Sequence, residues 1–132
     1  MQLYVRAARF LAALLLGVLL AGAAADATLD TVNAPRITVP DKSVNDCSDK
    51  AQSTLMSVMQ NATEAGQGSG EWLAQTQPSP GGPPSAWAII ECHAIDGGGY
   101  TASFVCSVQT PTNPVSASDL CTKLATAFGG GQ

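Results

Sequence analysis

Four cysteines, Cys47, Cys92, Cys106 and Cys121, constrain this 132-residue chain more than any other feature, with 44, 13 and 14 residues between successive members. No C-x-x-C pair occurs and His93 is the sole histidine, so the spacing does not suit a structural zinc site. An even count in a short chain predicts two disulfides, provided the destination is oxidising. Count alone leaves three pairings open.

The amino terminus points to such a destination. Arg6 and Arg9 precede an uncharged run over residues 10–21, which gives way to small residues at Ala23, Ala24 and Ala25. This is the pattern of a secretory signal peptide covering residues 1–25, with cleavage expected after Ala25 or Ala27. The run is short for a helix crossing a hydrocarbon core of about 30 Å, which favours cleavage over an uncleaved anchor. The expected location is therefore secreted or periplasmic, with no membrane attachment after cleavage.

Downstream of residue 25, Arg36, Lys42, Lys50 and Lys123 face all ten of the chain's Asp and Glu residues. Such an acidic domain is repelled by nucleic acid and by anionic lipid, so neither is an expected partner.

Residues 26–42 contain Pro35 and Pro40 around Ile37, Thr38 and Val39, which disfavours helix and predicts an extended leader or an edge strand. A single domain is expected over residues 43–128, followed by a flexible tail at 129–132. Val44, Cys47, Ala51, Leu55, Val58, Met59 and Ala62 recur in steps of three and four, the period of one helical face. Gly66, Gly68 and Gly70 are expected to end that helix. Residues 75–85 carry four prolines and two glycines and read as a surface loop.

Residues 86–95 and 100–109 then predict two strands joined through Asp96, Gly97, Gly98 and Gly99, because successive glycines permit the positive φ of a hairpin turn. Tyr100, Ala102, Phe104, Cys106 and Val108 alternate with more polar neighbours, so the even-numbered face is expected to point inward. Its counterpart on the first strand is Ala88, Ile90, Cys92 and Ala94. Ser116 or Ser118 can cap a last helix whose Ala117, Leu120, Cys121, Leu124 and Phe128 share one face.

The expected fold is thus a two-layer α+β domain in the order helix, strand, strand, helix, with both helices on one face of the hairpin and residues 36–39 available as a third strand. All four cysteines fall on inward faces. In the hairpin register expected from the even-numbered faces, Cys92 and Cys106 are diagonal neighbours about 7–8 Å apart, beyond disulfide reach. Helix-to-strand pairing is therefore favoured, with Cys47 to Cys92 and Cys106 to Cys121 as the first choice, while the connectivity itself stays open.

Chemistry has one candidate location. Glu91 and His93 share the outward face of the first strand, Asp96 follows in the turn, and Ser103 and Ser107 lie on the same face of the next strand. A small hydrolase or a metal-binding protein built on Glu91, His93 and Asp96 is the alternative this cluster allows. No G-x-S-x-G marks either serine, and Cys92 points away from His93. The main expectation is a non-enzymatic module without metal or cofactor that binds another protein. Its surface is the outward face bearing Trp87, Ile89, His93, Ile95 and Val105. An inhibitor, a neutralising protein or a structural accessory subunit of a cell-envelope complex fits that description. Residues 36–39, the Trp72-Leu73 stretch or the proline-rich loop are the segments available to cover this face. Asn61-Ala62-Thr63 matches a glycosylation tripeptide.

Overall fold

The computed structural model describes residues 28–76, 84–110 and 113–129. The expected signal peptide, its cleavage sites, most of the proline-rich segment and residues 130–132 lie outside the described residues. In order, the elements are β1 (Thr28–Val39), α1 (Val44–Met59), β2 (Thr63–Glu64), β3 (Glu71–Thr76), β4 (Ala86–Ala94), β5 (Tyr100–Thr110) and α2 (Ala117–Gly129). One antiparallel five-stranded sheet has the order β1-β5-β4-β3-β2. The α+β class stands, but the helix-strand-strand-helix order is too simple. The chain enters through an edge strand, and α1 carries it to the opposite edge, where β2 and β3 precede the hairpin.

α1 begins where side chains satisfy its first free amides. Ser43 Oγ accepts from the Asp46 N–H at 3.1 Å, while the Asp46 carboxylate accepts from the Ser43 N–H at 2.8 Å and from its hydroxyl at 2.7 Å. The helix stops at Gln60, which takes a left-handed φ of 64° and donates to the Met56 carbonyl at 3.1 Å. This is well before the glycines expected to end it. The reason lies in Asn61, whose Nδ2 donates to the carbonyls of Met59 at 2.9 Å and Gln75 at 2.7 Å, while its Oδ1 accepts from the Gln75 N–H at 3.0 Å. The side chain read as a glycosylation acceptor ties the helix end to β3.

The β4–β5 hairpin forms as expected, with even-numbered side chains inward, but its register differs from the expected one. Ala94 opposes Tyr100, Cys92 opposes Ala102 and Ala88 opposes Cys106. Cys92 and Cys106 therefore lie four residues apart along the ladder, about 13 Å at strand rise, rather than on a diagonal. The shift is an even number of residues, so the faces are unchanged. Ala94, placed inward by the alternation, is exposed because it lies at the hairpin end. Gly99 (φ 103°) closes the turn where a Cβ would lie 2.6 Å from the Val39 carbonyl oxygen, so glycine is required there.

Both helices cover the even-numbered face. α1 packs over β3 and β4, and α2 over β1 and β5. A disulfide joins each helix to a strand below it, Cys47 to Cys92 with Cα atoms 5.9 Å apart and Cys106 to Cys121 at 5.6 Å. These are the two pairs that the inward-face argument puts first. Among the described residues Phe104, Phe128, Leu55, Ile90 and Leu124 are the largest wholly buried side chains. The Phe128 ring meets Phe104 edge-on at 5.4 Å and Tyr100 at 6.3 Å, a geometry that favours aromatic pairs. Burial pushes the Tyr100 phenol above its usual range, and the Asp46 charge adds to the shift.

Of the two serines proposed to cap α2, Ser116 does so. Its Oγ accepts from the Asp119 N–H at 3.1 Å and donates to the Asp119 carboxylate at 2.8 Å. Among the described residues no helix is long and apolar enough to cross a membrane.

Candidate functional sheet face

The second face of the sheet carries the odd-numbered residues of β4 and β5. Every one of them, from Trp87 to His93 and from Thr101 to Gln109, is half-buried or exposed. Two of the three segments proposed to cover this face are accounted for. Residues 36–39 pair edge-on with β5 as the end of β1, and Trp72-Leu73 pairs with β4 as part of β3. The third, the proline-rich segment, lies mostly outside the described residues, and its first members Gln75 and Thr76 belong to β3 rather than to a loop.

Strand pairing arranges this face in rows. The apolar row crosses Leu73, Ile89 and Val105 and ends at Asn33. Next to it lies a row of Gln75, Trp87, Ser107 and Thr31, in which the Thr31 and Ser107 hydroxyls hydrogen-bond at 2.9 Å. On the other side Glu71, Glu91 and Ser103 form a polar row, followed by His93, Thr101 and Thr38. Trp87, Ile89 and Val105 are thus neighbours, as expected from the sequence. Leu73 joins them although sequence reasoning missed it. The two tryptophans separate: Trp72 turns to the helix side, where its Nε1 donates to Ser48 Oγ at 2.7 Å, and only Trp87 faces outward. Ile95 is not part of the patch, since it lies six residues beyond Ile89, about 20 Å along the strand.

The polar cluster has a definite arrangement. His93 Nε2 lies 3.5 Å from the Glu91 carboxylate, with the two side chains 64% and 41% exposed. Ser103 Oγ also donates to Glu91, at 3.3 Å. The carboxylate stands between the serine and the imidazole, so the order required for a histidine to take a proton from a serine is not met. Asp96 sits apart in the hairpin turn, and no group of three or more His, Cys, Asp or Glu side chains suited to a metal ion occurs among the described residues. A groove of about 720 Å³ on the helix layer, between α1 and α2, is lined by Ser57, Val58, Thr122, Lys123, Thr126 and Asp119, and Asp119 is already engaged in the α2 cap.

Comparison with known proteins gives no matching family model, no similar curated protein and no similar solved structure.

Proposed function

We propose that this protein is a small non-enzymatic module, exported to an extracytoplasmic compartment, that binds another protein through the outward sheet face. The two disulfides support an oxidising destination, as structural disulfides persist there and not in a reducing cytosol. One observation carries the binding role: Leu73, Ile89 and Val105 form a row of apolar side chains beside Trp87 on a face that neither helix covers. Apolar rows inside a polar rim are a common feature of contact surfaces, and tryptophan often anchors them. The adjacent Glu91, His93 and Ser103 form part of the rim. His93 is exposed and Glu91 and Ser103 are half-buried, whereas a general acid or base ordinarily works in a more enclosed setting.

The test compares wild type with Trp87→Ser. Both are expected to melt at the same temperature within a few degrees, and a partner retained from the export compartment by wild type is expected to be lost by the variant. Unfolding of the variant, or equal retention by both, sinks the reading.

A further inference from the structure

The outward face carries two like charges side by side. Glu71 and Glu91 are directly opposed residues of β3 and β4, and directly opposed side chains have Cβ atoms about 4.5–5.5 Å apart. Like charges in that position destabilise a sheet. Among the described residues the sole ion pair on either carboxylate is the contact of Glu91 with His93.

Among the described residues the three lysines stand elsewhere. Lys42 precedes α1, Lys50 lies on α1 with its Nζ 5.3 Å from the centre of the Phe128 ring, and Lys123 is on α2. Arg36 belongs to the β1 bulge, where β1 has two residues against Ser103 of β5. β5 separates it from Glu91, a gap of about 10 Å at ordinary strand spacing. Arg36 shares their row at that distance, and among the described residues neither carboxylate makes an ion pair with a lysine or arginine.

We infer that the partner segment for this face is cationic and apolar, presenting an arginine to the Glu71–Glu91 pair and aliphatic or aromatic side chains to the Leu73–Ile89–Val105 row. The inference rests on the binding role proposed above and specifies the chemistry of what binds. A guanidinium offers several donors in one plane and can bridge two carboxylates, whereas an ammonium acts as a point charge. It would also remove the repulsion between the two glutamates. The rows set a spacing: the Glu71–Glu91 row is two residues along the strands from the apolar row and four from Trp87. Steps of two residues measure about 7 Å. An extended segment with arginine at one position and apolar side chains two and four positions on matches that spacing. The same two carboxylates repel an acidic partner, so the face selects by charge as well as by apolar contact.

The experiment titrates two blocked heptapeptides into the isotopically labelled exported protein and follows its backbone amide resonances. The first peptide is Ser-Arg-Ser-Leu-Ser-Leu-Ser, and the second carries glutamate in place of arginine. In low salt the arginine peptide is expected to bind about five- to tenfold more tightly, with shifts centred on Leu73, Ile89, Glu91 and Val105. In the Glu71→Gln, Glu91→Gln double variant, whose fold the same spectrum checks, the preference is expected to vanish. Equal binding of the two peptides to wild type overturns the charge inference and leaves the apolar docking face standing. A preference that survives in the double variant overturns it as well, since other carboxylates would then be responsible. If neither peptide shifts the apolar row, the docking face itself is refuted.

Discussion

The two faces of the β4–β5 hairpin come from alternate residues of the same strands, yet they differ in almost every respect. Ala88, Ile90, Ala102, Phe104, Cys106 and Val108 are at most 1% exposed beneath the helices. One residue away on each strand, Trp87, Ile89, Glu91, Ser103, Val105 and Ser107 are half-buried and meet no helix. The inward set builds the core. On the outward set, Ser103 hydrogen-bonds to Glu91 and Ser107 to Thr31, while one apolar row stays without a covering helix. That contrast is what the proposed binding role rests on.

Substitutions at neighbouring positions test the contrast most strongly. Phe104→Ala is expected to cost about 3–5 kcal/mol, because it leaves a cavity beneath Phe128. Val105→Ala, one residue along but outward, should cost under about 1 kcal/mol in the same urea titration. Comparable losses at both sites would show that the outward face is covered after all.

The disulfides follow. The Cys47–Cys92 bond spans 45 residues and Cys106–Cys121 spans 15, so loop entropy predicts losses of about 4 and 3 kcal/mol when each pair is replaced by alanine. Calorimetry on the two double variants measures the order. A reversed order would mean that native packing, and not loop length, governs their value.

Asn61→Ala should cost about 2 kcal/mol, since it removes three hydrogen bonds and leaves backbone groups of Met59 and Gln75 without that partner. Amide exchange is expected to accelerate first in β3, the strand that adds Leu73 to the outward face. Uniform acceleration across the sheet would detach β3 from this role.

The smallest effect concerns the cap of α1. The Ser43 hydroxyl, then the Ser43 N–H, and lastly Lys42 hold the Asp46 carboxyl below its ordinary value near 3.8. A depressed carboxyl stabilises the fold above the unfolded-state value near 3.9, and that contribution is lost as pH falls through the folded value. Asp46→Asn should therefore flatten stability against pH below about pH 4, leaving the outward face untouched. An unchanged acid limb would remove the cap from the account.

Much of this fold is legible in local pattern. Period two placed Phe104, Cys106 and Cys92 on one face, and steps of three and four placed Cys47 and Cys121 on the helix faces opposite them. The pairing of cysteines could be argued even from an incorrect hairpin register, because an even-numbered slip preserves every face. β3 was not legible. Glu-Trp-Leu-Ala-Gln-Thr has no clean alternation, for its outward Leu73 and inward Trp72 are both apolar. The stop of α1 was equally hidden, since glycine is the usual signal and Gln60 with Asn61 does the work by contacts to a strand fourteen residues away.

For the candidate site, the sequence placed Trp87, Ile89 and Val105 together and placed Glu91 beside His93, because neighbours within a hairpin depend only on alternation and approximate register. It could not place Leu73 in their row, set Glu71 opposite Glu91, or remove Ile95 from the patch. Those relations depend on which strand lies next to β4 and at what register, a choice made by packing of the whole sheet under its helices. Alternation is a property of the backbone and is written locally. Adjacency between distant segments is decided only when their shared surface is buried, and so the composition of the outward face belongs to the tertiary structure.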